Sequence, residues 1–539
     1  MKKLENSRRA VGLNGELTTP FTAHKEGFRV NANLRRRWRQ CKRRIEGRLN
    51  KANLAGCERP MLTAGNIRYE LGDRTRAISA GGIGLMHLIV KWLGLDDAIN
   101  QRVPVFKMHL PYHESDHVLN IAYNLLAGGS CLEHLELLRN NEVYLDALGA
   151  RRIPDPTTAG DFCRRFDRWS IHLLQETFND ARLKVWRQQP EEFFAEAVID
   201  GDGTMALTGG ECKQGMDINY EGQWGYHPLL ISLANTGEPL YLANRSGNRP
   251  SHENASVYFD LAIDLCRRAG FRCILLRGDT DFSQTEHLDR WDADGVQFVF
   301  GIDAMKNLYE EAEKLPPEAW KPLKRRQPTA RGQPRAKPPN VKEPIVVERG
   351  FKNIRLRQEQ VAEFEYQPVK CGKNYRVVVV CKNLDVWEGQ EKLFDDQRCF
   401  FYITNERKSA AEQIVFRANG RCNQENVIQQ LKSGVRALTA PLDNLQSNWA
   451  YMVMAALAWS LKAWAALLLP ENGRWGKRRR EEKQTLLRME FATFRQALVN
   501  IPAQIVRTSR RIIYRLLSWN GWQEVFFRLL DQLRRPLRC

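Results

Sequence analysis

The stretch that most constrains the fold of this chain is Ala197-Val-Ile-Asp-Gly-Asp-Gly-Thr204, an apolar run that passes into two aspartates and stops in glycine. Read as a strand, it sends Asp200 and Asp202 to one face, because side chains two apart share a face. A carboxylate on a mid-chain strand is costly unless something pairs with it. A divalent metal is the obvious partner, which directs attention to carboxylates further along the chain.

The surrounding pattern sets the fold class. After the opening strand, Pro228–Ala234 and Pro239–Ala243 are strand-like and are separated by the hairpin turn Asn235-Thr-Gly-Glu. An amphipathic helix follows from about Ala255 to Arg268, closed by Ala269-Gly270, and then a strand, Arg272–Arg277, which ends at Gly278-Asp279. Three antiparallel strands, a helix and a parallel-type strand make the ribonuclease-H-like layout, a mixed α/β sheet with helices on its faces. A helix near Ser283 to Trp291 and a strand Val296 to Ile302 continue it.

Regular order then breaks. Residues 316 to 344 are dense in Pro, Lys and Arg, including Lys324-Arg325-Arg326, the composition of an exposed linker. Ile345-Val-Val, Ile354-Arg-Leu and Tyr375–Val380 read as strands of an inserted β-rich module, and the main sheet resumes at Cys399–Thr404. The fold class is therefore α+β and multidomain. It divides into a basic N-terminal arm (1–80), a helical region that is a candidate for binding DNA (81–190), a ribonuclease-H-like core in two parts (191–304 and 399–440) around a linker and β-rich insertion (305–398), and a helical C-terminal region (441–539).

At 539 residues the chain exceeds one ordinary core, and its formal net charge of +19 favours a polyanionic partner. Arg35, Arg36 and Arg37 near the start, and Lys477, Arg478 and Arg479 near the end, are candidate phosphate contacts, although solvated helix faces or a solvated tail explain such clusters as well. In region 81–190, the run Ile153-Pro-Asp-Pro-Thr-Thr158 reads as a turn that caps a new helix. The short helices there suit a helix-turn-helix reader of DNA or a packing subdomain equally. The twelve cysteines show no zinc-binding spacing and suggest reduced thiols in a cytoplasmic protein rather than staples. The apolar run Trp449–Leu469 contains Lys462 and reads as a buried helix, so no membrane partner is expected.

Three carboxylates now stand in order: Asp202 on the first strand, Asp279 at the end of the fourth, and Glu425 on a late helix. First and fourth strands are neighbours in this layout, and a following helix can bring Glu425 across them. Oxygen donors suit Mg²⁺ or Mn²⁺, and two ions roughly 3.5–4 Å apart can drive an in-line phosphodiester displacement. On a continuous helix Arg421 and Lys432 lie at minus four and plus seven from Glu425, on its face, where they can contact phosphate. Taken singly, each acid could equally belong to a turn or a surface ion pair.

These residues resemble a known family. Val198-Ile-Asp-Gly-Asp-Gly-Thr204, Gly225–Leu230, Leu275-Leu-Arg-Gly-Asp-Thr-Asp-Phe282, Val299–Ile302 and Arg421-Cys-Asn-Gln-Glu-Asn-Val-Ile428 are similar to the motifs of bacterial insertion-sequence transposases of the DDE type, most closely the insertion-sequence 1380 family. The resemblance covers about residues 80 to 530. It implies Asp202, Asp279 and Glu425 as metal-binding catalytic acids, selects Asp202 over Asp200, and leaves Asp200 in support. The family has a tyrosine where this chain has Ala418. It further implies two Mg²⁺ or Mn²⁺ ions, binding of terminal inverted repeats in double-stranded DNA, cleavage at the ends, and joining of the 3′-hydroxyls to target DNA by a homodimeric complex in the bacterial cytoplasm, at the nucleoid. A nuclease of the same fold and a domesticated, non-catalytic DNA-binding protein are the rival readings.

Overall fold

The computed structural model describes residues 32–48, 50, 68, 76–107, 111–210, 212–325, 343–349, 352–388, 391–509 and 511–537. The chain divides into two units, residues 1–49 and 50–539. In the first, a helix spans Ala32–Arg48 and carries Arg35, Arg36 and Arg37. Arg36 and Arg37 are exposed, whereas the side chain of Arg35 lies outside the described residues.

The second unit is built on one nine-stranded sheet, whose strands in chain order are β1 (Glu196–Gly203), β2 (Leu229–Leu233), β3 (Glu238–Ala243), β4 (Cys273–Gly278), β5 (Gln297–Ile302), β6 (Lys321–Pro322), β7 (Lys352–Tyr366), β8 (Tyr375–Glu388) and β9 (Glu391–Thr404). Across the sheet they run β6-β7-β8-β9-β5-β4-β1-β2-β3. Among its described strands, β1–β4 and β4–β5 are the parallel pairs. Five helices matter for the site: α1 (Arg168–Trp186), α2 (Ala255–Ala269), α3 (Ala411–Asn419), α4 (Cys422–Gln429) and α5 (Leu445–Leu467).

Period-two alternation in the central strands assigns the two faces. Ala197, Ile199, Ile274, Leu276, Phe298 and Phe300 join the large core, to which α2 contributes Tyr258, Phe259, Ala262 and Ile263. Val198, Leu275 and Val299 face the other way and meet Ile414, Val415 and Ala418 of α3 in a smaller apolar layer. Each fully buried Ile, Leu or Phe contributes about 1.5–3 kcal/mol relative to exposure, so both faces hold the sheet flat against its helices. The polar residues of the second face, Asp200 and Asp202 among them, are left at the margin of the smaller layer.

The edge strand β3 is closed off by helices. From α5, Trp449 Nε1 donates to Leu242 O at 2.6 Å and Trp459 Nε1 to Gly237 O at 2.7 Å. Glu238, fully buried, accepts from Arg182 Nε (3.0 Å), Trp186 Nε1 (3.0 Å) and Trp464 Nε1 (2.9 Å). A covered edge offers no template for pairing with another chain. Helix α5 is the one described helix long and apolar enough to cross a membrane, and it is buried inside the protein from Ser447 to Leu467.

Several expectations are met and others corrected. Asp155 caps the helix Pro156–Arg164 by accepting from Thr158 N at 2.9 Å, as the Pro-Asp-Pro-Thr run predicts. Ile345-Val-Val lies in a short helix, Glu343–Glu348, not a strand; Pro344 sits in its first turn, where a missing N–H costs nothing. The C-terminal region is not helical throughout, because Ala503–Arg507 and Ile512–Leu516, both β-branched and alternating, form a hairpin that pairs with Ala77–Ile78. The helix expected at Ser283–Trp291 begins only at Leu288, after two 3-10 turns. The insertion strands are not a sheet of their own: β9 runs from the hairpin at Glu391 to its pairing with β5 without a break. Two cysteines expected as thiols, Cys381 and Cys399, face each other across β8 and β9 and are joined as a disulfide. The Pro- and Lys-rich stretch 326–342 lies outside the described residues.

Candidate active site

Strands β1 and β4 are paired in parallel from Glu196↔Cys273 to Asp200↔Arg277. Two residues further along each strand are Asp202 and Asp279, which therefore leave the sheet at the same level and on the face shared by Asp200 and Arg277. Asp279 follows the last residue of β4 and caps a 3-10 turn, its Oδ1 accepting from Asp281 N at 3.1 Å.

The two aspartates of β1 do different work. Asp200 is held by a bidentate fork, with Arg277 Nε to Oδ1 at 2.7 Å and Nη2 to Oδ2 at 2.8 Å, and the two side chains are 1% and 8% exposed. With both oxygens engaged, it is not available as a ligand. The remaining guanidinium nitrogen, Nη1, donates to Arg417 O at 2.8 Å, and it fills the space beside Gly420, where a Cβ would collide with it. One buried ion pair thus ties together β1, β4 and the turn that leads from α3 into α4.

Helix α4 is fixed to the sheet by a second contact. Gln424, 2% exposed, donates from Nε2 to Leu230 O at 3.0 Å and to Asp200 O at 3.2 Å. Its neighbour Glu425 stands on the exposed side of the helix, within electrostatic reach of Asp202. The single helix expected for Arg421, Glu425 and Lys432 is in fact interrupted. Arg421 is the residue before α4, and Lys432 lies in a π-helical turn, Gln430–Gly434. Such turns widen a helix locally and recur at functional sites. Both cations still reach the acids: Arg421 Nη1 is 3.9 Å from Asp202 Oδ2, and Lys432 is in electrostatic contact with Asp202.

The charges act on one another as a cluster. Burial pushes the Asp202 carboxyl up to about 7; repulsion by Asp279 and Glu425 adds to this, and Arg421 opposes it. Asp279 is raised as well, by burial first, with Arg421 again opposing. Burial lowers the Lys432 ammonium, and Asp202 works against that. His227 closes one side, its Nε2 only 2.9 Å from where a Cβ on Gly203 would stand, so the close approach requires glycine.

Among the described residues, no group of three or more His, Cys, Asp and Glu side chains is gathered closely enough to form a ready-made metal cage. The chemistry of the donor set does fit a hard divalent cation, because buried carboxylates that repel one another become favourable when a cation stands between them. Arg277, Gln424 and His227 escape sequence reasoning as site residues. An arginine inside the apolar strand Cys273–Gly278 is the one signal that could have exposed the first. Ala418 is buried in the apolar layer beneath α3.

The other predicted contacts stand elsewhere. Lys477, Arg478 and Arg479 begin the helix Gly476–Arg488, where Arg478 pairs with Glu482 at 2.9 Å and Arg479 with Asn472 O. Just before them Arg474 lies over the exposed ring of Trp475 at 5.5 Å.

No curated protein matches the chain. Among solved structures it is similar to piggyBac transposase in a cryo-EM synaptic complex with hairpin DNA, at 10% identity and a TM-score of 0.34, over 78% of this chain and 82% of that one. The family model described as transposase DDE domain group 1 matches residues 70–537, nearly the whole chain, and the protein therefore belongs to the DDE transposases.

Proposed function

We propose that the chain is an insertion-sequence transposase of the 1380 family. In this reading it has a ribonuclease-H-like core, binds terminal inverted repeats as a homodimer in the bacterial cytoplasm, cleaves the DNA at each end and joins the 3′-hydroxyls to target DNA. The strand order β3-β2-β1-β4-β5, with α2 after β3, supports the core assignment. The observation that carries the reading is the pairing of β1 with β4, which brings two half-buried acids to one level while Asp200 is fully engaged by Arg277.

Asp202, Asp279 and Glu425 would hold two Mg²⁺ or Mn²⁺ ions, which supply an activated attacking oxygen and neutralise the charge on the leaving oxygen. The chain's own residues supply position. Arg421 and Lys432, on either side of Glu425, present cations to the non-bridging oxygens of the scissile phosphate. Gln424 and the Asp200–Arg277 pair keep the turn carrying Arg421 registered on the sheet, so the phosphate and the acids stay aligned. The helix Ala32–Arg48 and the Arg474–Arg480 segment contribute backbone phosphate contacts that position DNA without reading its sequence.

The test is strand transfer. Pre-cut transposon ends incubated with target plasmid and Mg²⁺ or Mn²⁺ yield joined products if the protein is a transposase. A nuclease of the same fold cuts but leaves the ends unjoined, and a domesticated binding protein retains the ends and does neither.

A further inference from the structure

A cavity of about 630 Å³ lies between the Lys324–Arg325 segment and helix α3. Its lining is Lys324, Arg325, Glu412, Gln413, Phe416 and Asn419. This volume suits a small ligand of one or two nucleotides and is far too small for a duplex.

Each wall offers a different contact. Phe416 is 37% exposed on a helix whose Ile414, Val415 and Ala418 are buried. Asn419 Nδ2 is buried and has no hydrogen-bond partner. Arg325 is aimed by Glu359, which accepts from its Nε at 2.7 Å and its Nη2 at 2.9 Å, yet the side chain remains 47% exposed. Lys324 is exposed beside it. Glu412, in the first turn of α3, marks one rim as unfavourable for phosphate and leaves the Lys324–Arg325 side as the cationic one.

Helix α3, which lines the cavity, leads in sequence into the acid site. Asn419 is two residues from Arg421, which stands 3.9 Å from Asp202. Tyr402 has its phenol within electrostatic reach of both Arg325 and Arg421. Its ring packs on the apolar layer under α3. Arg325, at the cavity, and Arg421, at the acids, thus share one aromatic neighbour.

We infer that this cavity binds a nucleotide of a single DNA strand leading away from the scissile phosphate, with its base stacked on Phe416, its phosphate on Lys324 and Arg325, and an acceptor atom taken by the Asn419 amide. The inference rests on the transposase reading and specifies a substrate form within it: a locally unpaired strand rather than continuous duplex. Aromatic stacking combined with a cationic track is the general means of holding a single strand, and it is tolerant of sequence.

Fluorescence anisotropy with the full-length protein tests it, using a labelled single-stranded oligonucleotide of mixed sequence and the duplex of the same sequence. Phe416→Ala should weaken single-strand binding about tenfold or more, the size of one base–aromatic stack. Phe416→Trp should restore it, and duplex affinity should stay within about twofold in both. Lys324→Glu should weaken single-strand binding and flatten its salt dependence. Unchanged single-strand affinity in Phe416→Ala, an equal loss for duplex, or a wild-type protein that binds no single strand would each overturn the inference. Strand transfer by the wild type is scored separately. A protein that joins ends yet is indifferent to Phe416→Ala refutes the cavity alone, and one that never joins ends refutes the transposase reading.

Discussion

Asp200 and Asp202 are two residues apart on one strand face, and exchanging each for asparagine should have opposite effects on stability. In Asp200→Asn the bidentate acceptor of Arg277 is lost, and a guanidinium buried at 8% exposure is left without a counter-charge. Breaking a buried pair from one side costs about 3–5 kcal/mol. For a cooperative unit of this size that lowers the melting midpoint by about 3–5 °C. Asp202→Asn acts the other way. Its carboxyl titrates at about 7 instead of the usual 3.8, so between those values the unfolded chain ionises first and the folded state loses stability as pH rises. Above pH 7 the full penalty is present, about 4 kcal/mol as an upper limit. Asp202→Asn removes it, so the metal-free variant should melt above the wild type at pH 8 and with it at pH 4. The assay is calorimetric melting of both variants in chelator at the two pH values. The paired change Asp200→Leu with Arg277→Met should recover stability, since an apolar pair of similar volume replaces the ions. It should not recover DNA cleavage, because the Arg277–Arg417 contact is gone. An Asp200→Asn variant that melts with the wild type, or an Asp202→Asn variant destabilised at pH 8, would refute these roles.

Three further outcomes follow from the same contacts. Glu238→Ala strips the shared acceptor from Arg182, Trp186 and Trp464 and should destabilise the protein by about 3–5 kcal/mol, seen as a lower denaturation midpoint. Lys462, 1% exposed, is lowered by burial from 10.5 to about 7. The unfolded chain therefore holds the extra proton between those values, and stability should climb with pH across that window. Lys462→Met should remove the dependence and raise the melting midpoint at pH 7 despite losing the bond to Leu487 O, as pH-resolved melts would register. Gln424→Ala deletes two backbone contacts of α4 and should cost about 1–3 kcal/mol of stability. It should also slow single-turnover cleavage about tenfold or more with little change in DNA affinity, because Glu425 and Arg421 lose their seat.

What the sequence discloses about this architecture is what local pattern encodes. β1, β4 and β5 are legible because buried strands are apolar runs bounded by glycine and turns, and α2 because its period is 3.6 and Gly270 closes it. Asp202, Asp279 and Glu425 attract notice as carboxylates at the ends or margins of such elements. The rest depends on contacts between distant residues. Asp200 and Arg277 are 77 residues apart, and nothing near either one announces the other. Gln424 reads as an ordinary helix surface residue until the sheet supplies carbonyls beneath it. The π-turn that carries Lys432 breaks a period that arithmetic on an ideal helix assumes. The Cys381–Cys399 bond needs the β8–β9 register before the two thiols can be seen as opposite. The late hairpin Ala503–Leu516 is overridden in a sequence reading by the long helical run before it.

The central claim is that Asp202, Asp279 and Glu425 perform the chemistry while Asp200 holds their frame. The most direct measurement is strand cleavage of end-bearing DNA, in Mg²⁺ or Mn²⁺, by Asp202→Asn, Asp279→Asn and Glu425→Gln beside the wild type, with DNA binding followed in parallel. Cleavage should fall at least about a thousandfold in each variant, with DNA affinity within a few-fold of wild type, and all cleavage should be lost when the metal is chelated. Cleavage that persists in any of the three, or that survives chelation, would contradict the claim.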